Sequence, residues 1–182
     1  MVTQKDLLFS INEIEQMRAE KQISVRAKEI YQETGGWPGC VSLMMRILER
    51  REETGEKISV AEVRECYEIA EYIESDILGT LSKLEKDILE IGAWCPWLSK
   101  KMCMDIWNVS GGEEVIENLV RKGFLTEIEK GRYNTARLFE KTVRRQIPEK
   151  HFWIMVGQWY ETEDFIKEAF FCIKQSGDQK FF

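Results

Sequence analysis

The chain has 182 residues, 43% hydrophobic and 32% charged, enough for one ordinary domain or two small ones with a buried core. No run of about eighteen apolar residues occurs, so no membrane-spanning helix is expected, and the first residues lack the apolar core of a secretion signal. The first 80 residues carry 16 acidic and 10 basic side chains, which accounts for the net charge of −6 and argues against a nucleic-acid surface there.

The first part of the chain has the start and stop signals of three helices. Ser10 and Glu13 have capping-box spacing, and Ser24 is the next candidate N-cap. Gly35-Gly36 should end the second helix, because glycine takes the left-handed conformation at little cost. Pro38 suits the first turn of a third helix, where its missing N–H needs no partner. Four apolar residues form one stripe along that helix: Val41, Met44, Met45 and Leu48.

After a polar connection, Ser59 is a further candidate N-cap. The apolar residues that follow it predict one long helix or two consecutive helices: Val60, Val63, Tyr67, Ala70 and Ile77.

From about Gly79 the pattern changes to three shorter helices, predicted over 82–94, 99–107 and 110–123. Each begins with a serine that can cap it: Ser82, Ser99 and Ser110. Residues 124–128 and 132–135 then alternate as two strands joined by a turn at Gly131. Three helices followed by a hairpin is the element order of a winged helix.

A further helix is predicted before Pro148, with Phe139, Val143 and Ile147 as its apolar residues. Four basic residues fall on one face of it: Arg137, Lys141, Arg144 and Arg145. This face could contact phosphate or nucleic acid, could be solvated, or could dock on an acidic protein surface.

The last part of the chain predicts two more helices. Their aromatic residues are interpreted mainly as core between paired helices, with a peptide or sugar groove as the alternative: Phe152, Trp153, Trp159, Phe170 and Phe171. Because the sequence stops at the two aromatic residues Phe181-Phe182, we expect a further helix to begin there and to cover these two rings.

The sequence has no recognisable catalytic constellation. The five cysteines include no C-x-x-C pair, so we expect no disulfide framework or zinc site, and a reducing cytoplasmic location. His151 is the only histidine, and neither a phosphate-loop motif nor G-x-G-x-x-G occurs. We therefore expect no enzyme activity, no metal and no bound cofactor in this chain.

Several short segments occur in a characteristic order along the chain. Thr34-Gly-Gly-Trp-Pro38 has the pattern T-x-G-W-P, and Tyr72-Ile-Glu-Ser-Asp-Ile-Leu78 is similar to Y-L-x-x-E-V-L. Further segments are Asp6-Leu-Leu-Phe-Ser10, Gly123-Phe-Leu125, Trp159-Tyr160, Glu168-Ala169 and Ser176-Gly-Asp178. Together they resemble one family, the maltose-activator (MalT-like) branch of LuxR-type transcription factors, which are ATP-dependent regulators of the STAND ATPase class.

The resemblance implies a mainly α fold in four parts. Residues 1–10 would be the last strand and linker of an ATPase domain, 11–78 a helical domain, 79–148 a winged-helix domain with one β-hairpin, and 149–182 the first helical-repeat (TPR-like) pair. The phosphate loop would lie upstream, and the DNA-binding helices far downstream.

The resemblance also implies a nucleotide site. Gly36, Trp37 and Pro38 match a G-x-P pattern whose proline packs on the adenine ring in related ATPases, with ATP or ADP bound in the full-length parent. From the residues alone, Pro38 is a helix start and Trp37 a core side chain. Ala136 stands where related ATPases have a histidine that touches the diphosphate, and Asn134 where the family has an arginine.

The function implied is a central relay segment that couples the nucleotide state of the ATPase domain to a C-terminal DNA-binding domain, with a hinge near Gly79 or Pro148. Its partners would be its own ATPase domain and the downstream helical repeats, with DNA contacted only through the C-terminal domain and no membrane. The alternative is a free-standing winged-helix protein that binds DNA or serves as a protein–protein adaptor.

Overall fold

A computed structural model describes residues 8–108, 112–144 and 146–177. Its helices are α1 Ile11–Glu20, α2 Ala27–Thr34, α3 Pro38–Glu53, α4 Val60–Arg64, α5 Tyr67–Tyr72, α6 Lys83–Trp94, α7 Lys100–Trp107, α8 Gly112–Arg121, α9 Arg137–Val143, α10 Lys150–Thr162 and α11 Ile166–Ser176. The strands β1 Leu125–Glu129 and β2 Arg132–Thr135 form an antiparallel pair. The predicted class, mainly α with one β-hairpin, is confirmed.

The chain divides into two compact units. The first comprises Met1–Ser82 and Ala136–Thr142, and the second comprises Lys83–Thr135 and Val143–Phe182. The four-part organisation expected from the resemblance is finer than this division and stays a prediction. The last strand and linker expected at residues 1–10, the Ser110 cap and the Phe181-Phe182 end fall wholly or partly outside the described residues.

The first unit is built on the amphipathic helix α3. The stripe predicted on it is completely buried, together with Ile14 of α1, Ile30 of α2 and Ile69 of α5. Local signals set several helix ends as expected. Ser10 and Glu13 form a reciprocal capping box, and Gly35 ends α2 in the left-handed conformation, with φ +60°.

One predicted helix cap in the first unit is wrong. Ser24 does not cap α2: the N-cap is Arg26, and the backbone N–H and hydroxyl of Ser24 donate to Glu52 Oε1 at 2.9 and 2.5 Å. The prediction failed because a carboxylate on the distant end of α3 accepts both hydrogens. Nearby, Cys66 is the N-cap residue of α5 and is only half-buried.

Of the two alternatives after Ser59, the structure has consecutive helices and not one long helix. Helices α4 and α5 are followed by a π-helical segment Ile73–Ile77 and a 3₁₀ turn Leu78–Thr80. The Ser75 hydroxyl donates to the Glu71 carbonyl at 2.8 Å, and this bond competes with the regular helical ladder at the widened turn. Tyr67, one of the apolar residues on which this helical prediction rested, is 72% exposed.

In the second unit, α6 packs against the hairpin. The Thr135 hydroxyl donates to the Leu89 carbonyl at 2.7 Å, and Leu98 and Tyr133 exchange two backbone hydrogen bonds of 2.8 and 2.9 Å. Gly92 allows this close approach, because a Cβ there would lie 2.5 Å from Leu98 Cδ2 and 2.9 Å from Thr135 Oγ1.

Trp97 joins the α6–α7 connection to the last two helices. Its ring meets Tyr160 and Phe165 edge to face at 4.9 and 4.8 Å, and its indole N–H donates to Glu168 at 3.1 Å. The buried Tyr160 hydroxyl donates to the Trp97 carbonyl, and Arg132 stacks 4.8 Å above the Trp97 ring. Burial raises the pKa of Tyr160 well above its ordinary value.

The aromatic residues of the last two helices are only partly buried, and α9 is shorter than predicted. Trp153 is buried, whereas Phe170 and Phe171 are 50% and 40% exposed. Helix α9 ends at Val143, and Ile147, predicted as one of its apolar residues, is 81% exposed. The residue before a proline is disfavoured in helical conformation, which explains why Ile147 lies outside a helix.

Candidate functional site

The turn between α2 and α3 contains the predicted nucleotide residues and is tightly fixed. The Thr34 hydroxyl donates to the Ile30 carbonyl at 2.8 Å and accepts from the Gly36 N–H at 3.2 Å. The Gly36 carbonyl accepts from the Phe9 N–H at 2.8 Å. Gly36 has φ +80°, and a Cβ there would lie 2.4 Å from the Phe9 carbonyl oxygen, so only glycine fits without displacement of the backbone.

Trp37 and Pro38 have different environments within this turn. Trp37 is 9% exposed, and its ring meets Phe139 of α9 edge to face, with centroids 5.1 Å apart at 88°. Pro38 is half-buried and occupies the first turn of α3, as predicted. The two aromatic rings therefore join the turn to the helix that follows the hairpin.

Tyr72 closes the turn from the side of α5. Its hydroxyl and ring crowd the Cα of Gly39, where a Cβ would lie 1.8 Å from Tyr72 Oη. Burial raises the pKa of Tyr72. The phenol is therefore neutral at physiological pH and packs as an uncharged group against the start of α3.

Helix α9 is bound to the rest of the first unit by charged contacts. Glu33 of α2 forms ion pairs with Arg64 at 2.9 Å and with Arg137 at 3.2 Å. Arg64 also donates to the Arg137 carbonyl at 3.1 Å, and Lys141 pairs with Glu65. Arg137 and Lys141 therefore contact acidic residues of the first unit while their side chains stay mostly exposed, so a solvated face and a face docked on acidic residues both describe them.

The predicted four-residue basic face does not exist as one face. Arg144 lies past the end of α9, where its Nε donates to the Ala93 carbonyl at 2.8 Å and its guanidinium lies 5.0 Å from the centre of the Trp94 ring. Arg145 is outside the described residues. The prediction assumed that helical spacing continues to Pro148, and the helix ends first.

A wide polar cleft of about 780 Å³ borders Gly39 but does not include Gly36, Trp37 or Pro38 in its lining. Four carboxylates and two cations line it: Glu49, Glu68, Glu71 and Asp76, with Lys21 and Arg46. This excess of negative charge disfavours phosphate, so the cleft is a poor candidate for a nucleotide site.

Other candidate chemistry is sparse. In the described ranges no group of three His, Cys, Asp or Glu side chains is arranged to hold a metal ion. All five cysteines are free thiols. His151 is exposed on α10, and Ala136, at the expected sensor position, lies just before α9. Within the same described ranges no helix is long and apolar enough to cross a membrane.

Sequence reasoning placed the Gly36–Pro38 turn correctly at a helix boundary but missed the residues that fix it. Phe9 and Phe139 contact the turn from distant parts of the chain, and Tyr72 packs against Gly39 directly after it. Phe139 was predicted only as an apolar residue of the helix after the hairpin. In the structure it is buried together with its neighbour Leu138. The assignment of the turn to nucleotide binding stays a prediction.

Comparison with protein-family models, with curated proteins and with solved structures gives no match for this chain.

Proposed function

We propose that the chain is the central relay segment of an ATP-dependent transcriptional regulator of the MalT-like, LuxR type. In this proposal the first unit is the helical domain beside the ATPase domain, α6–α8 with the hairpin are a winged helix, and α10 and α11 are the first helical-repeat pair. The parent protein binds ATP or ADP, acts in the cytoplasm and contacts DNA through its C-terminal domain.

The contact between Trp37 and Phe139 is the observation that carries the proposal. Trp37 belongs to the turn that would meet the adenine, and Phe139 lies on the helix that directly follows β2. A displacement of the turn on nucleotide exchange would therefore act on α9 through two packed rings. The ion pairs of Glu33 and Glu65 with α9 give that helix a defined seat from which it can be released.

The charges of the proposed winged helix support a relay role over direct DNA binding. Its third helix, α8, begins with exposed Glu113 and Glu114, and Glu117 one turn later pairs with Lys100. Carboxylates at this end would repel the phosphate backbone. We therefore expect no salt-dependent shift of duplex DNA by the purified chain at micromolar concentration. A steep salt-dependent shift would favour the free-standing DNA-binding alternative.

The proposal is tested on the protein that is encoded by the longest open reading frame containing this chain. We expect a phosphate-loop sequence upstream, binding of adenine nucleotide, and slower hydrogen exchange at residues 137–143 when ADP is bound. Phe139→Leu should keep nucleotide affinity but reduce this protection, because leucine preserves burial and removes the edge-to-face contact. The proposal would be overturned by a reading frame without a phosphate loop. It would also be overturned if the rate of hydrogen exchange in α9 were the same with and without nucleotide.

A further inference from the structure

A second cleft, of about 420 Å³, lies wholly within the second unit. It is formed by α6, α7, the first turns of α10 and the loop 146–149. Three aromatic side chains line it, Trp94, Trp107 and Phe152, with three carboxylates, Asp87, Glu90 and Glu149. Its volume is in the range of small-molecule sites.

Packing against other rings holds the aromatic lining in place. Trp107 and Phe152 are stacked, with ring centroids 6.2 Å apart and planes 29° from parallel. Phe152 meets the buried Trp153 edge to face at 5.2 Å, and Trp153 meets Trp94 in the same way at 6.2 Å. A ligand would therefore meet rings that are already positioned, which lowers the cost of binding.

The charge of the cleft selects the sign of a ligand. No Lys or Arg is among the described residues that line it, and its three carboxylates give a formal charge of −3. Arg144 lies outside the lining, 5.0 Å from the centre of the Trp94 ring, and including it still leaves −2. Phosphates and carboxylates are disfavoured here, whereas cations are attracted by both the carboxylates and the ring faces.

We propose that this cleft binds a small organic cation of the alkylated ammonium class. Aromatic rings with nearby carboxylates favour a bulky, weakly hydrated cation, whose methyl groups contact the rings while its charge faces the acids. A hard metal ion is a poor fit, because no three ligating side chains of the described chain are grouped for one. The contact of Arg144 with Trp94 shows the same attraction of a ring for a cation within this unit. The inference does not depend on the proposed relay function.

The test is calorimetric titration of the full chain with choline and with 3,3-dimethyl-1-butanol, its uncharged analogue of similar shape. We expect choline to bind about five- to tenfold more tightly, the range of a cation–π contribution of about 1 kcal/mol. Equal affinity for the two compounds would make the cleft a merely apolar one and would overturn the proposal. Failure of choline to bind would overturn it as well.

Three variants locate the binding. Trp107→Leu keeps an apolar wall without a ring face, and Glu149→Gln keeps the side-chain shape without its charge; each should weaken choline at least threefold and leave the neutral analogue unchanged. Glu114→Gln, on α8 outside the cleft, is the matched control and should change neither. Thermal melting of each variant confirms that it is folded. Choline affinity that is unchanged in both cleft variants would overturn the assignment.

Discussion

The requirement for glycine at position 36 comes partly from a distant part of the chain. Local pattern predicts it as a helix stop, and its positive φ agrees with that role. The stricter requirement comes from the Phe9 carbonyl, which leaves no room for a Cβ. The sequence cannot show this contact, because nothing in the residues around Gly36 indicates which other segment of the backbone will lie beside it.

Trp37 and Pro38, adjacent in sequence, should respond differently to substitution by alanine. Trp37→Ala removes a buried ring and should lower the free energy of unfolding by about 3–5 kcal/mol. Pro38→Ala should cost only about 0.4–1 kcal/mol, mainly because the unfolded chain becomes less restricted.

Urea denaturation of both variants measures these differences, and nucleotide titration in the full-length parent measures the second role of Pro38. We expect Pro38→Ala to weaken adenine-nucleotide binding there. If affinity in the parent is unchanged, Pro38 is only the first residue of a helix.

Gly92 should be intolerant of even one added methyl group. In Gly92→Ala the new Cβ would collide with Leu98 and with the Thr135 hydroxyl, and we expect a loss of about 1–3 kcal/mol in the free energy of unfolding. Gly79→Ala is the matched control, because its nearest neighbour would be the Glu74 carbonyl oxygen at 3.5 Å, an ordinary contact. Equal stability of the two variants in chemical denaturation would show that α6 and the hairpin can separate without cost.

At the scale of the element, two helices begin with the same device. Glu13 of α1 and Glu62 of α4 each accept hydrogen bonds from the hydroxyl and the backbone N–H of the serine three residues before, Ser10 and Ser59. These bonds, with the hydroxyl contribution largest, lower the pKa of both carboxyls from the ordinary value of 4.5. Both helix starts were predictable, because every participant lies within one turn of sequence.

The capping carboxylates should make stability depend on pH. Because the pKa of Glu62 is lower in the folded chain than in the unfolded chain, its contribution is complete above the unfolded value and is lost as pH falls through the folded value. Glu62→Gln should therefore be less stable than the parent chain at pH 7, with a gap that closes as the pH falls below about 4.5. Glu13→Gln should behave in the same way. A gap that stays constant with pH in thermal melting would contradict the argument.

Elements were predicted best where the signal is local and poorly where a distant group decides. Caps, glycine stops and the α3 stripe followed from short spacings. Ser24 was misassigned because Glu52 captured its donors, and the end of α9 was placed too late because Arg144 turns away to the Ala93 carbonyl. The rings and acids of the cleft beside Trp94, Trp107 and Phe152 come from three helices and a loop, so no single stretch of sequence could indicate it.

At the scale of the whole molecule, the division into units does not follow the order of the chain. Ala136–Thr142 belongs to the first unit although it follows the hairpin of the second. The Phe139 ring packs on Trp37, and Arg137 and Lys141 form ion pairs with acidic residues of α2 and of the α4–α5 connection, so both kinds of contact connect this segment to the first unit. Such pairing is visible in sequence only as a general excess of acid in the first 80 residues.

Cys66 is a natural attachment point for a fluorescent dye, because the other four cysteines are buried. Burial raises the pKa of Cys40 to about 12 and of Cys103 to about 11, and it also raises those of Cys95 and Cys172, so these thiols react slowly in the folded chain. Half-buried Cys66 should therefore react first with a maleimide at neutral pH, and all five thiols should react after unfolding. Peptide mapping of the alkylated chain checks this order, and preferential labelling of any other cysteine would refute it.

A dye on Cys66 would be adjacent to Glu65, the acidic partner of Lys141 on α9. If the proposed relay function holds, the emission of this dye would change when Lys141 leaves Glu65, and no engineered cysteine would be needed. The native chain would then carry its own spectroscopic probe of α9.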